Sequence, residues 1–180
     1  MDQAIRNLGP VECAALRQKV LALGEGTWTS DALRQVTFRN VHSQTQSLVL
    51  IFCDEKWPDV TVSFRSAWHY LGQLAAPVMD AIVRQHYPPG GRVLRAMMAR
   101  LPPGAEIGRH IDDHPSFAAS HRIHVPLLTN PLVSFIVGDA RIPTEEGVAF
   151  ELNNAMPHEV QNASEAPRIH FIFDYAPPAR

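Results

Sequence analysis

The residue types best suited to chemistry are concentrated in the second half of the sequence. Six of the nine histidines lie between positions 110 and 170. The sharpest motif among them is His110-Ile111-Asp112. In an extended chain, residues two apart point to the same face, so this imidazole and this carboxylate can bind one ion. A third ligand from a distant strand would complete one face of an octahedral metal site and leave the opposite face open, as non-haem iron oxygenases require.

The best candidate for the third ligand is His158, although a His-x-Asp pair alone is a short motif with a high false-positive risk. Two alternatives stay open. Asp113 could replace Asp112, but the parity of an extended strand favours Asp112. His114 lies four residues after His110, which is a zinc-binding spacing on a helix, but the flanking turn residues argue against a helix there.

Two arginines occupy hydrophobic, strand-like segments of the same region. Strict alternation places Arg122 and His124 on one face of their segment and aliphatic residues on the other, and Arg168 opens a similar segment. A guanidinium among apolar neighbours is unfavourable unless an anion meets it. The anion could be an acidic side chain such as Glu106 or Asp174. Alternatively, both arginines could clamp a dicarboxylate, since planar bidentate donors match carboxylate geometry.

The elements that must position these residues are short β-strands. After Gly91 the helical pattern disappears, and apolar, β-like runs alternate with turn signals rich in Pro, Gly, Asn and Asp. This pattern predicts a mainly β fold with flanking helices and a double-stranded β-helix core of the jelly-roll or cupin-like type. The predicted strands are 93–101, 121–128, 132–137, 148–152 and 168–175.

The first half of the sequence has a mixed pattern. Apolar residues at helical spacing predict a helix that begins at Pro10 and ends at Gly24, and the run 48–52 predicts a buried strand. A second helical pattern starts at Trp68, and Pro77 predicts a kink or two consecutive helices. We expect one domain over residues 1–180. Residues 1–91 would form a helical and mixed buttress that carries the substrate region, and residues 92–177 would form the jelly-roll core.

Composition excludes several classes of protein. The 180 residues are 46% hydrophobic and 19% charged, which is typical of a globular domain. The net charge is −2 and the sequence has no Lys/Arg run, so we expect neither a nucleic-acid partner nor a membrane partner. Cys13 and Cys53 lie in apolar stretches and are expected to be buried thiols. The first six residues contain no apolar signal, so a soluble, cytoplasmic protein is expected.

Beyond these patterns, the region from Arg92 to Pro177 resembles the aspartyl/asparaginyl β-hydroxylase family, in particular bacterial members similar to proline cis-4-hydroxylase. The resemblance lies in the turn 101–104 before His110, the Arg122-Ile123-His124 strand, the turn 145–147, and His158 followed by Arg168 and Asp174. The animal enzymes have no carboxylate at the position of Asp112, whereas bacterial relatives usually do. A serine that helps to hold the cosubstrate in the animal enzymes aligns with Ala99.

The resemblance implies the cofactors and the roles of the site residues. Iron(II) would be bound by His110, Asp112 and His158, and the cosubstrates would be 2-oxoglutarate and dioxygen. Arg168 would bind the distal carboxylate of 2-oxoglutarate, and Arg122 with His124 would contact its metal-proximal end.

The implied reaction is hydroxylation of an unactivated carbon, with succinate and carbon dioxide as coproducts. The substrate would be an amino acid, a peptide or a related small molecule. Two rival classes stay open: a zinc- or manganese-dependent cupin-type hydrolase or isomerase, and a non-catalytic barrel that binds a small molecule. Neither rival needs both the paired arginines and the His-x-Asp spacing, which therefore favour the oxygenase.

Overall fold

The computed structural model describes residues 3–29, 44–54 and 58–178, which form two antiparallel sheets and four helices within those ranges. The helices are α1 (Ala14–Leu21), α2 (Glu25–Thr29), α3 (Trp68–His86) and α4 (Pro115–Ala118). The strands are β1 (Ile5–Pro10), β2 (Gln46–Asp54), β3 (Thr61–Phe64), β4 (Arg92–Leu101), β5 (Glu106–His110), β6 (His121–Leu128), β7 (Val133–Val137), β8 (Ala140–Arg141), β9 (Val148–Leu152), β10 (His158–Asn162) and β11 (Arg168–Ala176).

The larger sheet has the strand order β1-β9-β6-β11-β4-β2-β3, and the smaller sheet has the order β5-β10-β7-β8. An apolar core that includes Leu101, Phe135, Phe150 and Val160 lies between the two sheets. This arrangement confirms the predicted mainly β fold with a double-stranded β-helix core.

A second core covers the opposite face of the larger sheet. Ile123 and Val125 of β6 and Phe171 and Phe173 of β11 pack there with apolar residues of α1 and α3, among them Leu71. The alternation along β6 therefore separates two faces, as predicted. Ile123 and Val125 point to the helices, whereas Arg122 and His124 point to the space between the sheets.

The first half of the chain contributes more strand than its pattern predicted. The predicted helix start at Pro10 is wrong, because Pro10 ends β1 and the helix begins at Ala14. Strand β1 pairs with β9, more than a hundred residues away, and a bulge at Gly9 with a φ of 82° accommodates the pairing. The predicted strand at 48–52 lies inside β2. Helix α3 is a single helix that contains Pro77, not two consecutive helices.

Two further expectations concern the cysteines and the location. Cys13 and Cys53 are both buried thiols that form no disulfide, as expected. None of the helices in the described ranges is long and apolar enough to span a membrane. The cytoplasmic location stays a prediction.

Candidate active site

Pairing of β5 with β10 brings the three predicted metal ligands together. His158 is the direct cross-strand neighbour of His110, and Asp112 follows the end of β5. The backbone N–H of Asp112 donates to the Asn154 carbonyl at 3.3 Å, which fixes this segment beside the turn before β10. One ligand atom from each of the three side chains lies within 4.8 Å of the other two. The geometry therefore suits a single ion bound by two imidazoles and one carboxylate.

Backbone carbonyls orient both imidazoles. The Nδ1 of His110 lies 2.8 Å from the Gly108 carbonyl oxygen, and the Nδ1 of His158 lies 3.0 Å from the Met156 carbonyl oxygen. A carbonyl only accepts, so each Nδ1 carries a hydrogen and Nε2 is the nitrogen of each ring that can bind a metal ion. The two Nε2 atoms face Asp112, at 4.0 Å from Oδ1 for His110 and 3.9 Å from Oδ2 for His158. Burial lowers the pKa of His158, which favours the neutral, ligating form.

The two alternative ligands lie in different settings. Asp113 is not part of the group of converging ligand atoms. His114 is in extended conformation immediately before α4, and its Nδ1 accepts the N–H of Ser116 at 3.2 Å as a helix cap. The helical spacing that would pair His114 with His110 is therefore absent, because α4 begins only at Pro115.

Arg122 lies beside the candidate metal ligands and binds two carboxylates. Its Nη1 donates to Oδ2 of Asp112 at 2.6 Å, and its Nε and Nη2 donate to the two oxygens of Asp174 at 2.8 and 3.0 Å. Burial opposes the charge of the guanidinium, but Asp112 and Asp174 outweigh it and raise the pKa of Arg122. Of the two alternatives for this arginine, pairing with Asp174 is therefore realised, and two of its five N–H groups remain for other contacts.

Arg168 lies deep between the sheets and is only 2% exposed. Its Nη2 lies 2.7 Å from Nδ1 of His170, and its guanidinium lies 5.8 Å from the ring centre of Phe135. Burial, then the charge of Arg168 and the proximity of His124, hold the pKa of His170 well below its ordinary value. His170 is thus a neutral acceptor for Arg168. Its other nitrogen, Nε2, is buried and has no hydrogen-bond partner within the described ranges.

His124 lies between Arg122 and Arg168 on the inward face of the sheet. Its Nδ1 is 3.3 Å from Nδ1 of His170, and its ring stacks on Phe150 with a centroid distance of 5.1 Å. Ala99, which aligns with the serine of the animal enzymes, is also buried and lines the same cavity.

A small cavity joins the metal ligands to the inward-facing cations. It is lined by His110, His158, Arg122, His124, Arg168 and Ala99, among others, and has a volume of about 30 Å³. This space accepts a water-sized group, so a five-carbon diacid would require its side chains to move apart. A larger surface cavity, about 560 Å³, lies at the turns 129–131 and 141–146, but it contains no converging metal ligands.

Four side chains of the first half, namely His42, Trp57, Arg65 and Trp68, are of types that could line a substrate pocket. His42 and Trp57 lie outside the described residues. Trp68 starts α3 and packs on Phe64, with ring centres 4.6 Å apart, and the guanidinium of Arg65 lies 5.6 Å from the ring centre of Phe52.

Sequence reasoning missed part of one buried polar network and the whole of a second. In the first, Asp174 pairs with Arg122, as one alternative proposed, and also with Arg95, which no motif singled out; the inward parity of β4 would have indicated Arg95. The second lies on the opposite face of the sheet. There Glu151 accepts from Tyr87 at 2.9 Å and lies 2.8 Å from Arg6 and 2.7 Å from His121.

Comparison with known proteins gives a family and a fold. The sequence profile described as "Aspartyl/Asparaginyl beta-hydroxylase" matches residues 16–178. Comparison with curated proteins gives no match.

Solved structures with the same fold include three prolyl hydroxylases. A prolyl hydroxylase from Trichoplax adhaerens, in complex with a hypoxia-inducible factor peptide, has a TM-score of 0.63 at 14% identity and covers 97% of this chain and 84% of its own. The viral collagen prolyl hydroxylase from Paramecium Bursaria Chlorella virus-1, in complex with 2-oxoglutarate, has a TM-score of 0.60 at 8% identity, with 99% and 98% covered. A Pseudomonas putida prolyl-4-hydroxylase has a TM-score of 0.54 at 15% identity, with 99% and 95% covered.

Proposed function

The chain belongs to the aspartyl/asparaginyl β-hydroxylase family of iron(II)- and 2-oxoglutarate-dependent oxygenases, and on this premise we propose that it hydroxylates an unactivated carbon of an amino acid, a peptide or a related small molecule. Succinate and carbon dioxide are the expected coproducts. As a member of this family the protein is an enzyme whose cofactor is iron(II) and whose cosubstrates are 2-oxoglutarate and dioxygen.

The observation that carries the proposal is the convergence of His110, Asp112 and His158. The two histidines also line a cavity that buried arginines line. Two imidazoles whose Nε2 atoms lie near one carboxylate form a donor set that suits iron(II) with open positions. Carbonyl acceptors at both Nδ1 atoms hold the rings in that orientation. These three side chains are therefore our proposed iron ligands.

The proposed binding site for 2-oxoglutarate uses the inward-facing residues of β6 and β11. Arg168 would bind the distal carboxylate, and the nearby Nε2–H of His170 is a buried donor that an anion would satisfy. His124 and the remaining N–H groups of Arg122 would contact the end of the cosubstrate nearer the metal. When bound, the iron supplies oxygen activation coupled to decarboxylation of 2-oxoglutarate, while the protein supplies ligands, anion recognition and exclusion of water.

A substrate screen tests the proposal. Protein loaded with iron(II) is incubated with 2-oxoglutarate, oxygen and panels of free amino acids, short peptides and small metabolites, and succinate is measured. We expect slow succinate release without substrate and a marked stimulation by one substrate class, with incorporation of one oxygen atom into that compound.

Absence of succinate from iron-loaded protein, with or without candidate substrates, would contradict the proposal. Activity that depends on zinc or manganese and needs no 2-oxoglutarate would instead favour a hydrolase or isomerase. Binding of a small molecule without turnover would favour a non-catalytic barrel.

A further inference from the structure

Asp174 is a fully buried carboxylate that is held between two arginines by strand register. It lies on β11, and its cross-strand neighbours are Arg122 on β6 and Arg95 on β4. Arg122 makes two hydrogen bonds to it, at 2.8 and 3.0 Å, and Nη1 of Arg95 lies 3.6 Å from its Oδ2. With an exposure of 0%, this carboxylate depends on its partners, because an unpaired buried charge is strongly unfavourable.

The third nitrogen of the Arg122 guanidinium, Nη1, connects the Arg122–Asp174 pair to the candidate metal site. Nη1 of Arg122 donates to Oδ2 of Asp112 at 2.6 Å. Oδ1 of Asp112 lies 4.0 Å from Nε2 of His110, and Oδ2 lies 3.9 Å from Nε2 of His158. One guanidinium therefore joins Asp174, which lies outside the group of converging ligand atoms, to a proposed metal ligand, Asp112. Since the fork of an arginine is rigid and planar, fixing two of its nitrogens on Asp174 also fixes the direction of the third.

The segment that follows Asp112 is attached to the same arginines. The ring of Phe117, in α4, lies 4.2 Å from the guanidinium of Arg122 and 4.7 Å from that of Arg95. Arg95 also donates from Nη1 to Oγ of Ser116 at 2.8 Å. Asp112 itself follows the last residue of β5 and precedes α4, so strand pairing does not hold it in place. Two contacts that orient it are the hydrogen bond from Arg122 and the backbone hydrogen bond to Asn154.

We propose that Arg122, oriented by Asp174, is a positioning residue that holds Oδ2 of Asp112 and leaves Oδ1 for the metal. The proposal deepens the proposed function and rests on it. Binding of both carboxylate oxygens to the ion would occupy a position that a chelating keto acid needs, and a freely rotating carboxylate would bind the ion less tightly. The chain Asp174–Arg122–Asp112 prevents both outcomes.

A double-mutant cycle tests this chain of contacts. Cobalt(II), used as a visible probe of metal binding, is titrated into metal-free wild type, Asp174→Asn, Asp112→Ala and the double variant. We expect Asp174→Asn to weaken cobalt(II) affinity by about tenfold or more, the scale of losing an outer-shell partner. The same substitution should have no further effect when Asp112 is already alanine, because the two residues act as one unit.

The matched control is Glu151→Gln, which removes a buried carboxylate from the opposite face of the same sheet. This variant should lower the melting temperature yet leave cobalt(II) affinity unchanged. Should Asp174→Asn not fold, Arg122→Lys gives the same cycle, since a single ammonium keeps the charge but cannot bind both carboxylates.

The outcomes separate this inference from the proposed function. Equal losses of affinity with and without Asp112, or no loss at all, would overturn the positioning role while the metal site itself stands. If wild type and His110→Ala bind cobalt(II) identically, the metal site and the proposed function both fail.

Discussion

Replacing Arg168 tests whether this buried arginine binds 2-oxoglutarate without contributing to metal affinity. We predict that Arg168→Met, which keeps an unbranched apolar side chain in the site, weakens 2-oxoglutarate binding while metal affinity stays the same. The structure supports this separation, because Arg168 is 2% exposed and contacts His170 and Phe135, whereas the proposed metal ligands are three other residues.

The magnitude follows from the contacts that Arg168 would make. A guanidinium donates two parallel hydrogen bonds to the two oxygens of a carboxylate. Each hydrogen bond to a charged group contributes about 1.5–3 kcal/mol. At the lower limit, the loss of both bonds costs about 3 kcal/mol. Since about 1.4 kcal/mol corresponds to a tenfold change in affinity, the dissociation constant for 2-oxoglutarate should rise roughly 100-fold. Arg168→Lys should lose roughly tenfold, because it retains the charge and forfeits the fork.

The assay is equilibrium binding of 2-oxoglutarate to anaerobic, iron(II)-loaded protein, together with a separate metal titration of each variant. Arg100→Met is the control. Arg100 also lies on the larger sheet, but it pairs at 2.7 Å with the largely exposed Glu25 and does not line the cavity. This control should bind 2-oxoglutarate like wild type. Loss of metal affinity in Arg168→Met with unchanged binding of 2-oxoglutarate would refute the reasoning.

Four further substitutions have expected outcomes. Asp112→Ala should reduce iron affinity and turnover by at least about tenfold, whereas Asp113→Ala, outside the converging group, should change both only slightly. Burial raises the pKa of Glu151, but hydrogen bonds from His121 and Tyr87, together with the charges of His121 and Arg6, outweigh it and leave the pKa lowered. The contribution of Glu151 to stability is therefore present above about pH 4.5 and is lost on further acidification. Glu151→Gln should therefore lower the free energy of unfolding at pH 7 by about 1 kcal/mol, a modest value because solvent screens the partly exposed partners of Glu151. In urea titrations, the free energy of unfolding of this variant should also fall less on acidification than that of wild type. Phe173→Ala, at a position with 0% exposure, should lower the free energy of unfolding by about 3–5 kcal/mol in the same titrations.

The parts of the structure that the sequence predicts well are those governed by local periodicity. Alternation along β6 places Arg122 and His124 inward and Ile123 outward, because one face of the strand meets the cavity and the other meets helices. The two-residue spacing of His110 and Asp112 likewise brings both side chains to one place.

Long-range register could not be predicted from such patterns. Pro10, the last residue of β1, has the sequence signature of a helix start. Local pattern does not show the pairing with β9 that accommodates Gly9 and Pro10, two residues that are unfavourable in strands. The proximity of His158 to His110 depends on the pairing of β10 with β5. The sequence offers His158 as a candidate ligand, but its local pattern does not give this pairing. The contacts of Asp174 with two arginines likewise exist only once three strands are aligned.

The central claim is that His110, Asp112 and His158 bind iron(II) and leave room for a chelating keto acid, and anaerobic absorption spectroscopy tests it most directly. Iron(II)-loaded wild type should develop a weak visible charge-transfer band when 2-oxoglutarate is added. The band should be absent in His110→Ala and His158→Ala, and admission of oxygen should bleach it and release succinate. A zinc site would give no such band, because its d shell is filled. Wild type that shows neither band nor succinate, with iron loading confirmed, would contradict the claim and favour a non-catalytic binding barrel.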